Sequence, residues 1–181
     1  MEAKEPRRLF SNANTIQRGQ ACYKDVTVKK YLESRPSYID ASVCSEWLSA
    51  TSFKKWMEKQ DWSGKCLDKD IVVPGSKLYS PETCAFVLPA TNLFVIASDA
   101  SRGGCPIGVS LHKRIGKYQA LCKNPFTGKN EHLGYFSTPE EAHEAWRKRK
   151  HDLALLVADT ESDPRVVEAL RKRYSPDEWY K

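Results

Sequence analysis

The segment Thr138-Pro139-Glu140-Glu141 opens a helix with its start signals in place, and it decides much of what the second half of the chain can be. Thr138 caps with its hydroxyl, Pro139 fits the first turn, where no N–H is needed, and Glu141 stands three residues past the cap, where a capping box closes. Behind it Ala142, Ala145, Trp146, Leu153, Leu156 and Val157 recur at helical spacing and predict one apolar face. Such a face requires a partner layer. Three short strand-like segments lie directly upstream, at about 106–112, 117–123 and 131–136, separated by Arg114-Ile115-Gly116 and by Asn124 to Asn130, both with hairpin chemistry. The expectation is a three-stranded antiparallel sheet backed by a helix, with a second capped helix from Asp163-Pro164 to about Tyr174.

The first half is organised differently. Residues 1–20 mix charge, Asn and Gln without periodicity and read as a loosely held arm. Thr27 to Ser34 predicts a short helix before Pro36, and Ser52 to Lys59 predicts another, with Phe53, Trp56 and Met57 on one face and Trp47-Leu48 leading into it. These aromatics are read as core. Leu67 to Val73 is a short strand-like run carrying Asp68 and Asp70, Pro74-Gly75-Ser76 is a turn, and Ser80-Pro81 signals a helix start that places Thr83 on a helix. The small polar run from Ser98 to Gly104 marks the expected domain boundary, so the division expected is an arm over 1–20, a first domain over 21–97, a second over 105–158, and a C-terminal helix and tail over 159–181.

Composition narrows the function. Five Trp, eight Tyr and six Phe in 181 residues exclude a wholly disordered chain. No run approaches the roughly 18 apolar residues of a membrane span, and MEAKEPRR lacks the apolar stretch of an export signal, so a cytoplasmic protein without a membrane partner is expected. The six cysteines, at 22, 44, 66, 84, 105 and 122, form no Cys-x-x-Cys pair, which predicts reduced thiols and no structural zinc. The net charge of +6 is concentrated. Residues 101–138 carry six basic side chains against the single acid Glu131, whereas 61–100 carry three basic and five acidic ones. That contrast predicts a nucleic-acid face beside a patch suited to a cation.

Two resemblances give these readings names. Gly108-Val109, Gly116-Lys117-Tyr118-Gln119-Ala120, Lys129 to Phe136, and Thr138 to Ala142 with Ala145 resemble the ethylene-response-factor (Apetala-type) DNA-binding domain over about 50 residues. The resemblance implies that the sheet enters the major groove of duplex DNA. His112, Lys113, Arg114, Lys117, Tyr118, Gln119, Lys123, Lys129 and His132 are the expected DNA contacts. Val43 to Leu48, Phe53 with Trp56-Met57, Leu67 to Ile71, and Tyr79 to Val87 with Asn92 resemble phage-encoded HNH-type homing-endonuclease-like proteins.

The second resemblance implies an α+β chain in which a small ββα nuclease-like unit precedes the sheet-and-helix domain, located in the host bacterial cytoplasm. It implies catalytic Asp68, Lys69 and Asp70, and magnesium or manganese held by Asp68, Asp70 and Thr83. Lys69 stands where the family keeps a histidine and Thr83 where asparagine is common. A lysine between two aspartates carries its proton at neutral pH, so Lys69 is expected to stabilise charge rather than to take a proton from water. Three functions compete: a metal-dependent endonuclease or nickase, a decayed nuclease that regulates by binding DNA, and a host-directed interaction protein docking through Trp179 and Tyr180 on a host protein.

Overall fold

A computed structural model describes residues 41–95 and 104–175. The N-terminal arm, the expected helix at Thr27 to Ser34, Cys22, the segment 96–103, Trp179 and Tyr180 lie outside the described residues. The chain is α+β and divides into two compact units, Met1–Leu88 and Pro89–Lys181. The division falls before the expected boundary, so that a short helix at Pro89–Val95 belongs with the second unit.

In the first unit, strand β1 (Ser42–Val43) leads through a 3-10 turn (Ser45–Leu48) into helix α1 (Ala50–Met57), capped by the Ser49 hydroxyl. Strands β2 (Cys66–Asp68) and β4 (Ala85–Val87) pair antiparallel, and β3 (Leu78–Tyr79) pairs parallel with β1. Helix α1 turns Phe53 and Met57 into the core, where Trp47 meets Phe53 edge-on and Trp56 stacks on Phe86 at 5.6 Å. The aromatics read as core are core.

Two expectations in this unit are corrected. The strand expected to run from Leu67 to Val73 stops at Asp68, because the Asp68 carboxylate accepts the backbone N–H groups of Asp70 and Ile71 at 2.8 and 2.7 Å and folds the chain into a turn. Asp70 is therefore not on a strand. Nor is Thr83 on a helix: its hydroxyl donates to the Leu78 carbonyl at 2.6 Å and accepts the Ser80 N–H at 3.1 Å, which holds residues 80–83 in a single turn. The chain then enters β4, whose three side chains are all buried. Pro74-Gly75-Ser76 turns as expected, with Gly75 at φ +74°.

The second unit begins with α2 (Pro89–Val95). Its antiparallel sheet comprises β5 (Val109–His112), β6 (Lys117–Lys123) and β7 (Asn130–Phe136) in the order β5-β6-β7. Helix α3 (Pro139–Ala158) crosses one face, and α4 (Pro164–Arg173), capped by Asp163, follows. The capping box is fully formed: the Thr138 hydroxyl accepts the Glu141 N–H at 3.2 Å, and the Glu141 carboxylate accepts the Thr138 N–H at 3.3 Å. Val109, Ala120 and Ala142 form the contact layer between sheet and helix, and Val166 and Leu170 of α4 are buried. Leu156 departs from the expected apolar face and is half exposed, while Ala154 and Ala158 are fully buried. At Gly108, φ is +78° and the Trp146 indole lies so close that an added Cβ falls 2.0 Å from its ring. Only glycine fits there.

Among the described residues five cysteines are free; Cys84 and Cys122 are buried and Cys44, Cys66 and Cys105 are partly exposed. Among the described residues no helix is long and apolar enough to cross a membrane.

Candidate nucleic-acid interface

Cross-strand pairing fixes which side chains share a face of the sheet. Val109, Ala120 and Gly134 pair on the helix side. Ser110, Gln119 and Tyr135 pair on the outer side, and His112 and Lys117 extend that row. On regular strands, residues 132 and 135 would point to opposite faces. A bulge intervenes: Ala120 pairs with Gly134 but Leu121 with His132, so Leu133 is the extra residue and His132 joins Tyr135 on the outer face. Their rings lie 4.7 Å apart, and His112 meets Tyr135 edge-on at 5.4 Å. Tyr135, absent from the contacts expected from sequence, is 43% exposed at the centre of this ring cluster.

The cations surround the cluster. Lys117 and Lys123 stand at the two ends of β6, Lys113 and Arg114 in the first hairpin turn and Lys129 in the second, and all five are exposed. The second turn is built by Asn124, whose side-chain oxygen accepts the N–H groups of Phe126 and Thr127. His112 Nδ1 is buried with no hydrogen-bond partner among the described residues.

The one acid of the region faces the other way. Glu131 pairs with buried Cys122 on the helix side. There Arg149 of α3 grips it with two hydrogen bonds at 2.6 and 3.0 Å, and Asn124 adds a third at 2.7 Å. These bonds hold the Glu131 carboxyl down to about 2. Of the nine residues expected to touch DNA, the outer face and its turns carry eight. Tyr118 is the exception: it pairs with Leu111 and Phe136 and packs on the sheet–helix core, because it is one step out of phase with Lys117 and Gln119.

In the first unit, the residues expected to hold a metal have other partners. One Asp68 oxygen is engaged by two backbone N–H groups. Both Asp70 oxygens lie 2.7 Å from Lys69 Nζ, which also donates to the Ser76 carbonyl at 2.7 Å. Lys69 is only 7% exposed, so its ammonium is directed inward rather than toward a phosphate. Thr83 Oγ1 is engaged by the local turn. An ammonium already neutralises the carboxylate that a divalent ion would need, and no cluster of three or more metal-ligating side chains is found among the described residues. These residues do not fit a magnesium or manganese site as they stand.

No family model matches the sequence, and comparison with curated proteins and with solved structures gives no match. The reading of this chain therefore rests on its own residues and geometry.

Proposed function

We propose that the protein binds duplex DNA through the outer face of its three-stranded sheet, as a DNA-binding protein whose first unit does not cut. The observation that carries the reading is the segregation of charge: five exposed cations lie on or beside one face, and the only acid between residues 104 and 138 is turned to the reverse face and neutralised by Arg149. A polyanion requires such a surface. Gln119 lies at its centre, with a donor and an acceptor to present to a base edge. Lys113, Arg114, Lys117, Lys123 and Lys129 take the role of phosphate contacts.

The test is fluorescence anisotropy of a labelled duplex against salt. Lys117→Ala and Lys123→Ala should each weaken binding several-fold and reduce the slope of log affinity against log salt by about one. An unchanged slope in both variants rejects this face. The same preparation, incubated with plasmid and magnesium or manganese, should leave the supercoiled form intact; nicking that Asp68→Ala abolishes would return the first unit to the nuclease class.

A further inference from the structure

The second unit contains a cavity of about 550 Å³, within the range of small-molecule sites, between α2, the start of β5, the end of β6 and α3. Leu93, Ile107, Leu121 and Trp146 give it apolar walls. Among the described residues, Lys150 and Lys123 are its charged lining residues, and none is acidic. Lys150 is the unusual one. Its Nζ lies 3.5 Å from the centre of the Phe94 ring, with Tyr174 at 5.4 Å and Trp146 at 5.9 Å, and it donates to the Phe94 carbonyl at 2.6 Å. No carboxylate pairs with it among the described residues. Burial in this aromatic box pushes the Lys150 amine down to about 8, still protonated at neutral pH.

A desolvated ammonium with no counter-ion is costly, and the protein leaves it at the wall of an open apolar cavity. We propose that this cavity binds a small organic monocarboxylate, with its apolar body against Leu93, Ile107 and Leu121 and its carboxylate on the Lys150 ammonium. Lys123, at the exposed end of β6, lines the cavity too, with Ser110 and Asn130, but Lys150 is the ammonium set among aromatic rings. A carboxylate accepts the two N–H groups that Lys150 does not spend on Phe94, and the apolar walls suit an organic body rather than a bare phosphate.

The experiment is calorimetric titration of the full chain with 2-naphthoate and with its uncharged partner 2-naphthamide. The carboxylate should bind at least tenfold more tightly. Lys150→Gln should bring the two affinities together, and Lys150→Arg should keep the preference. Leu93→Trp, at a position 59% exposed and so without cost to the core, should block both probes by filling the mouth. Equal affinities in the wild type, binding of neither probe, or a preference that survives in Lys150→Gln overturns the proposal. Loss of duplex DNA binding in Lys150→Gln, with no naphthoate binding to the wild type, would make Lys150 a phosphate contact instead.

Discussion

Each unit contains a lysine withdrawn from solvent, and the two are built on opposite principles. Lys69 has a carboxylate for a neighbour: Asp70 takes both ends of the contact at 2.7 Å, and the Ser76 carbonyl completes the set. Its charge is spent inside the fold. Among the described residues Lys150 meets a carbonyl and three aromatic rings and no carboxylate, so its charge is not neutralised there. Burial alone does not single out a cation; what sets Lys150 apart from Lys69 is the lack of a carboxylate beside it among the described residues. The resemblance implies that Lys69 stabilises charge in catalysis, whereas its bonds to Asp70 and to the Ser76 carbonyl tie its ammonium to the fold.

Substituting the glycine behind Trp146 should break the comparison most severely. Gly108→Ala adds a methyl group 2.0 Å from the indole at a positive φ, and Trp146 forms one side of the box around Lys150. Left-handed strain and overpacking together should cost about 2–4 kcal/mol in denaturant unfolding. Gly116→Ala is the control, with φ +64° and nothing within 4 Å, and should cost only about 1 kcal/mol. Equal losses in the two variants would show that Trp146 yields freely.

The next effect separates the lysines themselves. Lys69→Met strands the Ser76 carbonyl and removes the ammonium from both Asp70 oxygens, and should destabilise by about 2 kcal/mol. Lys150→Met keeps the apolar stem and removes an uncompensated charge, so at neutral pH it should lie within about 1 kcal/mol of wild type. The difference changes with pH in a defined direction. Since the folded-state value for Lys150, about 8, lies below the ordinary 10.5, the unfolded chain holds more protons between those values. The cost of burying Lys150 is present below pH 8 and is relieved as pH rises toward 10.5. Wild type should therefore gain on Lys150→Met between pH 7 and pH 10. Cys122 and Tyr174 are both pushed up by burial, and Lys150 pulls the Cys122 thiol part of the way back, so the pH dependence of this difference belongs to the Lys150–Cys122 pair together, with Arg173 acting on Lys150 as a further cation. A difference that stays flat with pH would remove Lys150 from the low-polarity box.

The second unit was legible in sequence because its signals are local. Caps, glycine turns and strand alternation each depend on a few adjacent residues, and the strands at 117–123 and 130–136 and the helix from Pro139 follow from them. What was hidden depends on pairing. The bulge at Leu133 that brings His132 beside Tyr135 is a property of two strands, and so is the phase that turns Tyr118 inward. In the first unit side-chain chemistry overrode the pattern: a hydrophobic run after Asp68 reads as strand, but the Asp68 carboxylate captures the following backbone. The Lys150 box gathers residues from α2, α3 and the end of α4, which no local window joins.

The smallest expected effect is the sharpest check on the proposed DNA-binding face. Glu131 is the only acid among residues 104–138, so removing it raises the region's net charge by one, and a binding model based on composition predicts tighter binding. The geometry predicts otherwise. Glu131 lies on the helix side, held by Arg149 and Asn124, and its charge already cancels that of Arg149. Glu131→Gln should leave DNA affinity within about twofold and the salt slope unchanged, in contrast to Lys117→Ala on the outer face. Its consequence belongs to stability. Because the folded carboxyl is held down to about 2, the wild type draws stability from this contact above the ordinary value near 4.5 and loses it as pH falls from there toward 2. The Gln variant should lack that acid-sensitive component in urea titrations at pH 6 and pH 3. A steeper salt slope in Glu131→Gln would place the reverse face, with Arg149, against the DNA.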